Sequence, residues 1–336
     1  MNKKPVQTIA DIARLANVSK STVSRVLSDS PLIGEATKER VRAIAEQNHF
    51  LVNVQARQLS LKQSRTIAFV VHPFNNDFSI ADLFVLEVMG GISNGLSAEG
   101  YDMLVVQVDP QETGWVHQYL DSGRVDGFIL LTSSYRQRHI QALQEMEAPF
   151  IVWGVPQPGQ AVPSVSGDNV QGGKLAAEHL LKSGRKRIAF LGGPTDEPEI
   201  QLRFNGFAGA LQEAGQVVDP DRITYEPYSS TAGAAGMERL LGQAPNLDAV
   251  FVVSDMMALA AIQVIRRLGR RVPEDVAVVG YDDLSVAELS QPPLTTIRQN
   301  IPLAGRLLAG NLVEYLRTGQ VANVSIPVEL IVRQSA

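Results

Sequence analysis

The sequence has no cysteine, few aromatic residues and no long apolar run. Without cysteine, its 336 residues form neither disulfides nor thiolate metal sites. The five histidines show no metal-ligand spacing, so we predict no metal and no cofactor. No apolar stretch approaches the roughly 20 residues of a membrane-spanning helix. Polar residues follow positions 1–5, where a signal peptide would carry its apolar region, so we expect a cytoplasmic location and no membrane partner.

Positive charge is scarce overall but concentrated at the amino-terminal end. The formal net charge is -5, from 30 basic and 35 acidic residues. Residues 1–65 contain 11 basic and 5 acidic residues, whereas residues 66–336 contain 19 and 30. This asymmetry is expected when only the first part of a chain contacts nucleic-acid phosphates. The length, with 45% hydrophobic and 19% charged residues, favours two or three globular domains.

Residues 8–27 have the periodicity of two short helices joined by a tight turn. Thr8 is placed to cap the first helix and Ser19 the second. The second helix carries small hydroxyls and two cations at or beside its N-terminus, namely Ser19, Lys20, Ser21, Thr22, Ser24 and Arg25. Such a surface can bind phosphates and reach base edges in the major groove. A solvated helical hairpin would give the same pattern, so this stretch alone leaves both interpretations open.

Together with motifs further along the chain, residues 8–27 resemble the lactose-repressor (LacI/GalR-type) family of bacterial transcription regulators. Residues 37–41 match the family's third helix, residues 53–59 resemble its hinge helix, and matches continue nearly to the C-terminus. Gly34, Asn48 and Val52 depart from the family pattern. The resemblance implies a helix-turn-helix head that binds an operator. It adds five DNA contacts to those of the second helix: Thr8, Thr37, Asn53, Ala56 and Leu59.

The hinge segment has two interpretations. By spacing alone, residues 51–64 form a linker of marginal helicity, because so short a helix is barely stable in water. The resemblance implies instead that two such segments, one from each subunit, fold on the operator. Leu59 would then enter the minor groove and kink a base step.

From Thr66 onward, short apolar runs alternate with helical stretches in two series. The first series lies at 66–71, 103–106, 127–131 and 150–153, and the second at 187–191, 223–225, 249–253 and 276–280. Such runs suit parallel strands covered on both faces, so we predict an α/β body of two doubly wound parallel-sheet lobes. The resemblance implies type I periplasmic-binding-protein topology.

The predicted domains follow from these patterns. An all-α helix-turn-helix DNA-binding domain covers 1–50 and a hinge covers 51–64. An effector-binding and dimerisation domain covers 65–336. The resemblance implies that its N-lobe comprises 65–164 and 294–322 and that its C-lobe comprises 165–293 and 323–336.

Candidate effector-binding residues follow the apolar runs, because open α/β sheets bind ligands beyond the carboxyl ends of their strands. They are Asp82, Phe84, Trp153, Asp168, Arg203, Tyr228, Ser254, Asp255 and Asp282. Carboxylates, a guanidinium and aromatic rings suit a carbohydrate. Trp153 could instead belong to the core, and Asp168 and Asp255 could be helix N-caps. Arg203 and Asp282 match the family's ligand-contacting Arg-x-x-Gly-Phe and Gly-Tyr-Asp-Asp motifs.

These features favour a regulator over an enzyme. No phosphate-binding glycine loop follows a strand, and isolated Ser, His and Asp residues do not make a triad. A secreted binding protein would carry a signal peptide and lack the basic head. We predict a homodimeric, sequence-specific repressor whose affinity for a pseudo-palindromic operator is controlled by a sugar or glycoside. A corepressor-dependent or constitutive repressor, or a sugar-binding module without regulatory coupling, remains the alternative.

Overall fold

The structure is a computed structural model that describes residues 8–27, 29–48, 50, 63–71, 82–109, 111–131, 137–157, 159 and 161–336. The chain divides into two units, residues 1–64 and 65–336. None of the described helices is both long and apolar enough to cross a membrane.

The described part of the first unit contains three helices, α1 (Ile9–Ala16), α2 (Lys20–Leu27) and α3 (Glu35–Gln47). Thr8 and Asp11 cap α1 reciprocally, because each backbone N–H donates to the other's side chain. Ser19 Oγ accepts from the Thr22 backbone N–H at 3.0 Å and so caps α2. The three helices share a small core of Ile12, Ala13, Ala16, Val23, Val26, Val41 and Ala45. The predicted helix-turn-helix is therefore confirmed.

The start of α3 lacks the side-chain cap that most helices have. Gly34 occupies the N-cap position and cannot supply a side-chain acceptor. Lys38, with only 8% of its side chain exposed, lies nearby and pairs with Glu35 at 3.0 Å and Asp29 at 3.2 Å. These ion pairs link the first turn of α3 to the loop that precedes it.

The first half of the second unit alternates strands and helices. In chain order these are β1 (Thr66–Val71), α4 (Leu83–Ala98), β2 (Asp102–Gln107), α5 (Trp115–Leu120), β3 (Gly127–Leu131), α6 (Gln137–Glu145), β4 (Phe150–Trp153) and β5 (Ser164–Gly167). The second half continues with α7 (Asn169–Lys182), β6 (Ile188–Gly192), α8 (Pro198–Glu213), β7 (Ile223–Tyr225), α9 (Ser230–Gln243), β8 (Ala249–Val252), α10 (Asp255–Arg267), β9 (Ala277–Asp282), α11 (Ser285–Leu289), β10 (Thr295–Gln299), α12 (Ile301–Thr318), β11 (Val324–Ile326) and β12 (Val328–Ile331).

These strands form two six-stranded sheets, one in each lobe. The first has the order β11-β5-β4-β3-β1-β2 and the second β12-β10-β9-β8-β6-β7. All recorded pairs are parallel except β10 with β12. Strands β1, β3 and β9 are buried almost throughout because helices cover both faces. The predicted fold of two doubly wound lobes is confirmed.

The lobe boundaries differ from the predicted ones at each crossing of the chain. The prediction placed residues 165–167 and 323–336 in the C-lobe, but β5 and β11 lie in the first sheet. It placed 294–322 in the N-lobe, but β10 pairs with β9 in the second sheet. The chain crosses after Gly167, after Gln299 and between Ile326 and Val328, because each crossing strand completes its sheet before the chain leaves the lobe.

Candidate DNA-contact surface and ligand cleft

The second helix of the head presents its hydroxyls and cations to solvent. Val23 and Val26 are buried, so the opposite face of α2 points outward. Ser19, Lys20, Ser21, Ser24 and Arg25 are exposed, and Thr22 is half-buried. Ser19 Oγ lies 2.7 Å from Ser21 Oγ and 2.8 Å from Thr22 Oγ1, which gathers three hydroxyls at the helix N-terminus. This end of a helix favours anions such as phosphate.

The remaining predicted DNA contacts lie in three places. Thr8 is exposed at the start of α1, and Thr37 is half-buried in the first turn of α3. Asn53, Ala56 and Leu59 lie outside the described residues. The structure therefore brings the α2 contacts together on one helix and leaves the hinge contacts as predictions.

In the body, Arg203 is the centre of a buried polar cluster at the carboxyl end of the second sheet. Its side chain is 6% exposed. The guanidinium donates from Nε to Asn169 Oδ1 at 2.8 Å and from Nη1 to the Val253 carbonyl at 2.7 Å. Its central carbon lies 3.7 Å from the ring centroid of Tyr281, a cation–π contact. These contacts fix the orientation of the guanidinium before a ligand arrives.

Two glycines allow this cluster to form. Gly173 in α7 and Gly206 in α8 lie where the two helices cross, and a Cβ at either position would overlap the backbone of the other helix. Because the helices approach so closely, Arg203 on α8 reaches Asn169 at the start of α7. Gly206 is the glycine of the Arg-x-x-Gly-Phe motif, and the close packing of α7 against α8 explains why a glycine stands three residues after Arg203.

Asp282 ends β9 beside this cluster in an unusual backbone conformation. Its φ is 116° and that of Asp283 is 57°, values that non-glycine residues rarely adopt and that are common at binding sites. Asp282 Oδ1 accepts from Gln299 Nε2 at 2.7 Å. Burial raises the pKa of the Asp282 carboxyl to about 7, and nearby Asp82 and Glu87 add to the rise, while Arg203 and Gln299 oppose it. A carboxyl so placed can change its charge near neutral pH.

The first lobe contributes an aromatic pair and a carboxylate. The Phe84 and Trp153 ring centroids lie 6.5 Å apart, with planes tilted by 46°. Trp153 is 7% exposed and belongs to the core of this lobe, so its ring mainly supports that of half-buried Phe84. Asp82 caps α4 by accepting from the Phe84 N–H at 2.9 Å. It is also close enough to raise the pKa of Asp282 in the other lobe.

Between residues that the structure describes, three hydrogen bonds connect the lobes around this region. The Val155 N–H donates to Glu199 Oε1 at 2.8 Å, and Gln157 Nε2 donates to the Asp196 carbonyl at 3.1 Å. On the other side the Ser285 N–H donates to Glu87 Oε1 at 3.1 Å. The polar cluster of the second lobe therefore faces the first lobe across a bridged cleft.

Two other predicted effector residues, Asp168 and Asp255, make contacts that stabilise the fold, and Ser254 caps a helix. Asp168 is exposed and caps α7 through the Gln171 N–H at 3.0 Å. Ser254, not Asp255, caps α10. Asp255 has no exposed surface, and its oxygens accept from Thr296 Oγ1 and the Leu284 N–H, so it ties α10 to β10 and to the loop after β9.

Tyr228 lies against Gly193 beside the cluster. Its ring is half-buried, and burial raises the pKa of its hydroxyl well above the ordinary value. The hydroxyl therefore stays protonated and can donate to a ligand.

Sequence reasoning missed five residues of the cleft, namely Asn169, Tyr281, Gln299, Glu87 and Glu199. Asn169 follows Asp168 and Tyr281 precedes Asp282, so proximity to predicted residues was an available signal for these two. Glu199 lies one helical turn before Arg203 on α8, and Glu87 lies one turn after Phe84 on α4, so helical spacing was an available signal for them. Gln299 follows no motif and reaches Asp282 because β10 pairs with β9.

A helix-turn-helix unit with an outward polar face and a two-lobed α/β unit with a polar cleft define a ligand-responsive DNA-binding regulator. Family models match both parts. Residues 8–53 match "Bacterial regulatory proteins, lacI family", and residues 177–336 match "Periplasmic binding protein-like domain".

Whole-chain relatives narrow this class. The chain is 36% identical to the HTH-type transcriptional regulator CelR of Thermobifida fusca over 100% of both chains. It is 31% identical to the HTH-type transcriptional repressor PurR of Aliivibrio salmonicida over 92% of each. The chain therefore belongs to the lacI family of bacterial regulatory proteins and is a helix-turn-helix transcriptional regulator.

Solved structures agree with this assignment. A CelR–cellobiose complex matches 98% of this chain and 100% of its own, with a TM-score of 0.76 and 34% identity. A Lac repressor dimer bound to operator and the anti-inducer ONPF matches 99% of both chains, with a TM-score of 0.83 and 28% identity.

Proposed function

We propose that this protein is a homodimeric repressor whose operator affinity is controlled by a carbohydrate bound in the cleft. The observation that carries the proposal is the guanidinium of Arg203, held by Asn169 and Val253 beside Asp282. A fixed donor beside a carboxyl acceptor suits vicinal sugar hydroxyls. Half-buried Phe84 offers an apolar ring to the C–H face of a sugar.

The relatives support the same ligand class. CelR was solved with cellobiose, and the Lac repressor was solved on its operator with the anti-inducer ONPF. We therefore propose a disaccharide or glycoside ahead of a monosaccharide. A Lac repressor ligand coexists with operator, so the proposal includes both an inducer and a corepressor, and the duplex titration described below distinguishes them.

For the head, we propose that α2 enters the major groove and that two subunits read a pseudo-palindromic operator. Exposed Ser19 and Ser21 would contact phosphates or base edges, and Lys20 and Arg25 would add phosphate attraction. Two-fold symmetry of the dimer requires two related half-sites. The hinge, residues 51–64, would order between them.

The two activities would be coupled by the angle between the lobes. A ligand that bridges Arg203 and Asp282 to the first lobe favours one angle, and this changes the spacing of the hinge segments in the dimer. A coupling free energy of about 1–3 kcal/mol changes operator affinity roughly 5- to 150-fold.

A sugar panel scored by melting temperature tests the ligand class. We expect cellobiose or a related glycoside to raise the melting temperature, while a nucleobase comparator does not. The best ligand should then shift affinity for a duplex selected from a random pool. If no carbohydrate raises the melting temperature, the ligand class is wrong. If one binds without changing duplex affinity, the protein is a sugar-binding module without regulatory coupling.

The hinge proposal has its own test. We expect Leu59→Ala to weaken operator binding and to reduce operator bending, because the minor-groove wedge is lost. The cleft should keep its ligand affinity. Unchanged bending in a circular-permutation gel assay would remove Leu59 from this role.

A further inference from the structure

The acidic body has two dense basic segments, at 182–187 and 266–271, and the second of them lies far along the chain from the head. Arg266, Arg267, Arg270 and Arg271 are four of the 19 basic residues in positions 66–336. They surround the end of α10, which runs back from the carboxyl end of β8 to the amino end of β9. The segment therefore lies at the edge of the second sheet opposite the ligand cleft.

A cavity of about 450 Å³ opens among these arginines. Its walls include Arg266, Arg270, Arg271, Glu274, Gln291 and Pro292, and we call it the distal arginine pocket. Its volume is within the range of small-molecule sites. No aromatic ring lies among its lining residues, so it lacks the apolar plane that a sugar ring would use.

The guanidinium groups of the pocket are held in place by the protein. Arg266 Nη1 donates to the Gln291 carbonyl at 3.0 Å, and Arg270 Nη2 donates to the Pro245 carbonyl at 2.6 Å. Each guanidinium has five N–H donors. Each makes one hydrogen bond in the described part of the chain, so most of its donors are left for a ligand.

The pocket wall at residues 271–275 is held by hydrogen bonds on two sides. Arg271 binds Asp275 through Nε at 3.0 Å and Nη2 at 2.9 Å. Arg185 lies on the other side of this loop and donates to the carbonyls of Pro273 at 2.6 Å and Glu274 at 3.2 Å. Preorganised donors lose little conformational entropy on binding.

The charges that remain after internal pairing decide the ligand class. Asp275 balances Arg271, and Glu238 balances Arg267. Within the described ranges, Arg266 and Arg270 donate to backbone carbonyls and form no ion pair, and Glu274 is the opposing carboxylate of the lining. Two guanidinium groups with spare donors match the planar, bidentate recognition of phosphate.

We propose that the distal arginine pocket binds a small phosphorylated molecule with two phosphate groups, at a site separate from the carbohydrate cleft. Pyrophosphate and a sugar bisphosphate share this chemistry and differ only in the spacing of their phosphates. This proposal does not rest on the carbohydrate proposal.

Calorimetry on the full-length protein at constant ionic strength tests the site. We expect pyrophosphate or fructose 1,6-bisphosphate to bind, and comparison of the two gives the phosphate spacing. Combined Arg266→Gln and Arg270→Gln substitutions should weaken binding at least about tenfold, because two charge-assisted contacts are lost. Arg317→Gln is the matched control, because Arg317 is exposed and pairs with Glu99 in the first lobe. It should leave binding unchanged.

A second variant keeps the test decisive if the double variant folds poorly. Glu274→Gln removes the opposing carboxylate without removing any recorded side-chain bond in the described residues, so it should tighten binding about threefold. The proposal is overturned if neither compound binds wild type, if Glu274→Gln does not tighten binding, or if a folded double variant binds as wild type does.

Discussion

The head and the second lobe each gather polar side chains into one candidate functional surface, but they place them in opposite environments. In the head, Ser19, Lys20 and Ser21 stay exposed on a helix above a core of seven buried hydrophobic residues. In the second lobe, Arg203 and Asp282 are 6% and 7% exposed above a core several times larger. The first surface is hydrated in the protein alone, and we expect DNA to displace this water. At the second, water was largely removed during folding.

Because of this difference in exposure, substitutions at the two surfaces should affect binding and folding stability differently. An exposed side chain that contacts only a partner can be removed with little effect on folding. A buried one is part of the fold, because removing it leaves buried hydrogen-bond partners unsatisfied. Substitutions in the head should therefore alter affinity alone, whereas substitutions in the cleft should alter affinity and stability together.

The strongest expected effect comes from Arg203→Ala. Loss of its bonds to Asn169 and Val253 should lower the free energy of unfolding by about 3 kcal/mol, and ligand affinity should fall about 100-fold or more. Ligand-free operator binding should persist in the folded fraction. Denaturant unfolding and ligand titration measure both effects. Arg267→Ala, at an exposed arginine paired with exposed Glu238, is the control and should cost less than about 1 kcal/mol.

The next effect depends on pH. Because the pKa of Asp282 is raised to about 7, the folded state keeps a proton that the unfolded state releases above its ordinary pKa of about 4. Stability from this group is therefore present below pH 4, declines as pH rises toward about 7, and then levels off. Asp282→Asn should lack this decline. Denaturation of both proteins at several pH values from 4 to 8 checks it, and parallel profiles would contradict it.

In the head, Lys20→Ala should weaken operator binding about three- to tenfold and reduce the log–log salt slope by about 1, since one phosphate attraction is lost. The free energy of unfolding should change by less than about 0.5 kcal/mol because Lys20 is exposed. Fluorescence anisotropy at several salt concentrations gives the slope. Lys182→Ala, at an exposed lysine in the body, controls for net charge and should leave the slope unchanged.

The smallest expected effect comes from Ser19, where an exposed side chain of the head also contributes to folding. Ser19 is exposed, yet it also caps α2, so Ser19→Ala should destabilise that helix by about 1 kcal/mol. Amide exchange in α2 should then accelerate about fivefold. Ser19→Asn should restore protection, because asparagine is also a good cap. Unchanged exchange in Ser19→Ala would show that the cap contributes nothing.

Much of the fold could be predicted from the chain itself. The apolar runs at 66–71, 127–131 and 150–153 coincide with strands β1, β3 and β4. Strands β5, β10, β11 and β12 were not predicted, because their sequences mix polar and apolar residues and are short. Pairing with a neighbouring strand, rather than local preference, makes them strands.

The candidate site also contains residues that the sequence predicted and residues that it did not. The motifs predicted Arg203 and Asp282, which lie together in the cleft. They did not predict Gln299, which bonds Asp282 from β10, or Asp255's complete burial. Neither property follows from neighbours in sequence.

By itself, the sequence determined the helix-turn-helix, because its caps join residues three apart and its apolar faces repeat with the helical period. It also determined that two series of buried strands form two lobes. Only the tertiary structure decided which lobe each crossing strand joins and which polar groups meet out of water. Arg203 reaches Asn169 across 34 positions, and Gln299 reaches Asp282 across 17 positions, from one strand to its neighbour. Such contacts depend on how whole helices and sheets pack, which no local pattern encodes.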